Sequence, residues 1–83
     1  MYYYFTFRSI TGAQRAMRAL EQTGLRATLL RAPKMFSAKG CGYALKVRPD
    51  RAAAASAAFR SYAVRVEGAY RVDAQGRAEA VAP

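Results

Sequence analysis

The chain has 83 residues, a formal net charge of +9 and 53% apolar residues, enough for one domain with a thin core and too few for two. No stretch approaches the roughly 20 apolar residues of a membrane span, and the aromatic start Met1-Tyr2-Tyr3-Tyr4-Phe5 lacks the basic leader of a signal peptide. A lone cysteine, Cys41, excludes an internal disulfide, and the absence of histidine removes the usual general base and any protein-only zinc set.

These features point to a cytoplasmic protein that does not engage the membrane. The charge is unevenly spread. Residues 1–49 carry nine basic groups against Glu21 alone. A field of this sign attracts anions, whether nucleic acid, an acidic protein or a small anionic ligand.

In chain order, residues 2–7 predict a first strand, with Tyr3, Phe5 and Phe7 alternating against Tyr2, Tyr4 and Thr6. A helix follows. Thr11 with Gln14 matches a capping box, and Ser9 competes as N-cap. Ala13, Ala16, Met17 and Leu20 fall on one helical face, and Gly24 supplies the left-handed stop. Residues 25–31 predict a second strand ended by Pro33, and residues 32–40 a long connection carrying Lys34 and Lys39. Residues 42–48 predict a third strand. Asp50 is placed to cap a second helix over 51–61, with Ala52, Ala55, Phe59 and Tyr62 as its buried stripe. Residues 64–72 alternate as a fourth strand, which closes a domain over 1–73. Residues 74–83 show no pattern and predict a flexible tail.

The resulting order, βαββαβ, is the split-βαβ, ferredoxin-like α+β arrangement: a four-stranded antiparallel sheet with two helices on one face. Right-handed crossovers give the strand order 4-1-3-2. That order brings the end of strand one, the start of helix one and the start of strand three to one edge of the sheet. Cys41 is therefore expected beside the N-terminus of the first helix.

Three features there favour a thiolate. The helix start offers free N–H groups around Thr11 and the positive end of its dipole. Lys39, Arg8 and Lys34 supply cations, and Gly40 and Gly42 remove bulk on both sides of the sulfur. A lone cysteine is also commonly a small buried hydrophobe, the two glycines also suit a plain turn, and a helix start also binds anions with the thiol as bystander. The tyrosine-rich first strand raises a further alternative, an RNA-stacking sheet, although residues 42–47 lack the aromatic motif of RNA-recognition modules. The remaining alternatives are a non-catalytic anion-binding module and a homodimer paired through the sheet.

Tyr4-Phe5-Thr6-Phe7, Ser9, Thr11, the Ala16, Leu20 and Gly24-Leu25 helix end, Pro33-Lys34, Cys41-Gly42-Tyr43-Ala44-Leu45 and Glu67-Gly68-Ala69-Tyr70 resemble a small bacterial selenium/sulfur carrier-like family. That family was long classed as a domain of unknown function, and the resemblance spans roughly residues 2–72. It implies that Cys41 holds sulfur or selenium as a persulfide or selenyl-sulfide and passes it on, with donor and acceptor proteins as partners. The loop before the cysteine departs from the family's pair of small hydroxyl residues, reading Ser37-Ala38-Lys39-Gly40. A carrier needs an accessible nucleophilic thiolate, a cationic surround and no second cysteine to resolve the adduct. With no acid/base pair and no cofactor loop in the sequence, a carrier rather than an enzyme is expected, with no cofactor.

Overall fold

A computed structural model describes residues 1–36 and 42–82 of the chain. Five strands and two helices form an α+β structure: β1 (Tyr2–Phe7), α1 (Ile10–Gln22), β2 (Thr28–Arg31), β3 (Tyr43–Val47), α2 (Ala52–Ser61), β4 (Gly68–Val72) and β5 (Ala78–Val81). All pairings are antiparallel and the sheet order is β2-β3-β1-β4-β5. The first four strands take the expected order. The sheet has five strands rather than four, because Asp73–Arg77 turn the chain back and Ala78–Val81 pair with β4 along Ala69–Val72. Asp73 closes that turn by accepting from the N–H groups of Gln75 and Arg77, both at 2.9 Å.

Alternation along β1 separates the two faces of the sheet. Phe5 and Phe7 point inward, where each meets the ring of Phe59 from α2 edge-on at 5.0 and 5.9 Å. Leu45, Val47 and Ala69 share this face by register. Ala13, Ala16 and Leu20 of α1 and Ala55 and Ala58 of α2 complete the core. The helices present mainly alanines, so they lie close to the sheet, and most of the large core side chains come from the strands.

Helix α1 starts at Ser9, whose Oγ accepts from the N–H of Gly12 at 3.1 Å. Thr11 lies inside the helix and exposed, so Ser9 displaces the Thr11–Gln14 box. The helix ends as expected at Gly24, with φ +76°. The Leu25 N–H donates to the Leu20 carbonyl and the Gly24 N–H to that of Glu21. This stop uses Leu25 and shortens β2 at its start. Asp50 does not cap α2 but sits in a 3-10 turn, Pro49–Arg51, where it pairs with Arg48 and Arg51. Tyr62, expected in the buried stripe, is 46% exposed, and Ala58 takes its place.

Candidate functional site

The expected corner forms around Phe7. Gly42 is buried and adopts φ +123°, and a Cβ placed on it would lie 2.8 Å from the Phe7 carbonyl oxygen. Only glycine combines that backbone with that approach. The Gly42 carbonyl accepts from the Ala32 N–H at 3.1 Å, which extends the β2–β3 ladder by one rung. Two residues past Phe7, Ser9 begins α1, and Gly12 lies against both Ser9 and Phe7. The strand-one end, the helix-one start and the residue preceding β3 thus converge, which is the juxtaposition that the strand order predicts.

Cys41 is bonded to Gly42, but Cys41, Lys39 and Gly40 lie outside the described residues. Of the other candidates, Arg8 is exposed at the corner and pairs with Glu67 at 3.4 Å. Both partners are solvated, so the pair contributes little to stability. Lys34, two residues past Ala32, opens a 3-10 turn, Lys34–Phe36, whose Phe36 runs to the helix-free face of the sheet. There Phe36 is buried, stacked on Tyr70 with ring centroids 4.5 Å apart and tilted against Tyr4 at 5.1 Å. The Tyr70 hydroxyl donates to the Phe36 carbonyl at 3.1 Å. The Phe36 anchor had no signal in the sequence, being one apolar residue in a loop without period.

The segment 64–67 had a signal that misled: its alternation reads as the start of the fourth strand, which begins instead at Gly68. It runs beside α1 rather than as part of β4, and the Glu67 N–H donates to the Thr6 carbonyl at 2.9 Å. It encloses a cleft of about 390 Å³ with Phe7, Arg8, Ser9 and Gly12, to which it adds Arg65, Val66 and Glu67. Among the described residues no cluster of three or more potential metal ligands occurs, and no helix is long and apolar enough to cross a membrane.

An antiparallel five-stranded sheet with both helices on one face, and a glycine-built corner at the residue after the sole cysteine, defines a small α+β protein. The chain matches, over residues 2–71, the family described as Putative Se/S carrier protein-like, and it belongs to that family. Neither the curated proteins nor the solved structures yielded a match.

Proposed function

We propose that the protein carries sulfur or selenium on Cys41. The observation that carries this reading is membership of the carrier-like family in a chain whose only thiol is bonded to Gly42. The buried Gly42, its backbone against Phe7, supports it by tying the residue after the thiol to the end of β1, two residues before the N-cap of α1. The transfer is redox-neutral. The Cys41 thiolate attacks the outer sulfur of a donor cysteine persulfide, a new Sγ–S bond forms, the donor's S–S bond breaks, and the donor leaves as its thiolate. Attack by an acceptor nucleophile on the outer sulfur reverses the step, and selenium follows the same course.

The RNA-stacking alternative finds no support on the sheet. Phe36 already occupies the space between Tyr4 and Tyr70 that a base would take. The test is intact mass after incubation with a cysteine desulfurase and cysteine. Wild type is expected to gain one sulfur, lost on treatment with a thiol reductant, and Cys41→Ala none. Equal gain in both proteins, or none in wild type, overturns the reading.

A further inference from the structure

Two clefts follow one another along a single flank of α1, both walled on the other side by residues 62–67. The first, about 230 Å³, is lined by Arg15, Arg18, Ala19 and Gln22 of α1 with Tyr62 and Val64 opposite. The second is the 390 Å³ cleft at the helix start, which ends on Phe7, the residue against Gly42. Together they make a seam with Ala19, Val64 and Val66 along it and arginines on both sides.

Its charge is unbalanced. Among the described residues Arg15, Arg18 and Arg65 make no ion pair, and Arg8 alone is matched, by Glu67. The chain's other acids are mostly engaged elsewhere: Asp50 with Arg48 and Arg51, Glu79 with Arg71, and Asp73 in its turn. Arg15 and Arg18, three apart, share one side of α1, where their guanidinium forks suit carboxylates. Tyr62, left 46% exposed beside them, offers an apolar body and a hydroxyl.

We infer that the α1/62–67 seam is a docking surface for an acidic segment of a partner protein, with carboxylates on Arg15, Arg18 and Arg65 and apolar side chains over Val64 and Val66. The partner's identity rests on the carrier reading: a donor or acceptor docked along the seam reaches the Phe7–Gly42 corner at its end. Nucleic acid fits the same charge less well. Of its two aromatic rings Phe7 is buried and only Tyr62 is exposed for stacking, and aliphatic side chains run along its length.

The test measures fluorescence anisotropy of the full chain with a labelled peptide of alternating glutamate and leucine, and with a labelled oligouridylate of equal length. The peptide is expected to bind wild type and Cys41→Ala alike, so the outcome is independent of sulfur loading. Arg15→Glu/Arg18→Glu should weaken it by about tenfold or more, while Arg26→Glu/Arg77→Glu, of equal net charge, should change it by about twofold or less. Tyr62→Ser, which keeps the charge, should weaken it by a few-fold. Circular dichroism confirms folding, and Arg15→Gln/Arg18→Gln replaces a charge-reversed protein that fails to fold. Absence of peptide binding, equal loss in the two charge-reversed proteins, or tighter oligouridylate binding that depends on Arg15 and Arg18 overturns the proposal.

Discussion

The two faces of the sheet are built from similar rings and held in different ways. On the inner face Phe5 and Phe7 meet Phe59 edge-on beneath two helices, and the surrounding alanines, Leu20, Leu45 and Val47 are almost wholly buried. On the outer face, among the described residues, one turn does the covering. Phe36 stacks on Tyr70 and leans on Tyr4, while Tyr2 stays 40% exposed beneath the Lys46 ammonium, 4.0 Å from its ring centre. Stabilisation follows the number of layers that exclude water, so the inner face should dominate folding. The outer cluster instead anchors the connection between β2 and β3.

Truncating one ring on each face should break that comparison most sharply if it is wrong. Phe59→Ala leaves Phe5 and Phe7 without their partner and should cost about 3–5 kcal/mol. Phe36→Ala should cost about 1–2 kcal/mol, because Tyr4 and Tyr70 then face solvent rather than an enclosed void. Urea unfolding of both variants gives the two values. Equal losses would make the outer cluster a second core rather than an anchor.

The comparison also explains what the sequence discloses. Helix α1 is legible because Leu20 and Met17 mark a face among polar residues and Gly24 marks its end. Helix α2 is not legible in phase: Ala52-Ala53-Ala54-Ala55-Ser56-Ala57-Ala58 looks similar from every side, so nothing local favours Ala58 over Tyr62 as the buried position. Strand β5 is hidden because Ala78-Glu79-Ala80-Val81 has weak strand preference. Its place comes from the Asp73 turn, the β4 ladder and the 2.6 Å Arg71–Glu79 pair, which also holds the Arg71 pKa above its ordinary value. At the site, Gly42 stands out in the sequence as a glycine, but the carbonyl that requires it, Phe7 O, belongs to a strand distant in sequence. The seam of residues 62–67 on α1 is equally a product of tertiary packing.

Where the two faces meet at the site corner, the backbone rather than a side chain sets the tolerance. Gly42→Ala would force an alanine to φ +123° with its Cβ 2.8 Å from the Phe7 oxygen. Backbone has no rotamer with which to yield, so a loss of about 2–3 kcal/mol is expected from strain and contact together. Thermal unfolding checks the value. A loss below about 0.5 kcal/mol would mean that the corner relaxes freely, and the tie between the cysteine's neighbour and the end of β1 would then be weak.

The smallest effect separates the two helices that cover the inner face. They end in the same hydrogen-bonded stop: after α2 the Val64 N–H donates to the Phe59 carbonyl and the Ala63 N–H to that of Arg60, as Leu25 and Gly24 do after α1. The left-handed residue is Gly24 in one and Ala63, at φ +54°, in the other. A side chain in that conformation costs roughly 1–2 kcal/mol, partly offset because alanine has less freedom to lose on folding than glycine. Ala63→Gly should therefore stabilise by about 0.5–1 kcal/mol, raising the unfolding midpoint by about 4 °C in a domain of this size. Gly24→Ala should lower it by a similar amount, because a Cβ there meets nothing within 4 Å and the effect is purely conformational. If Ala63→Gly destabilises instead, the alanine is fixing the direction of residues 64–67 along α1, and the seam depends on that rigidity.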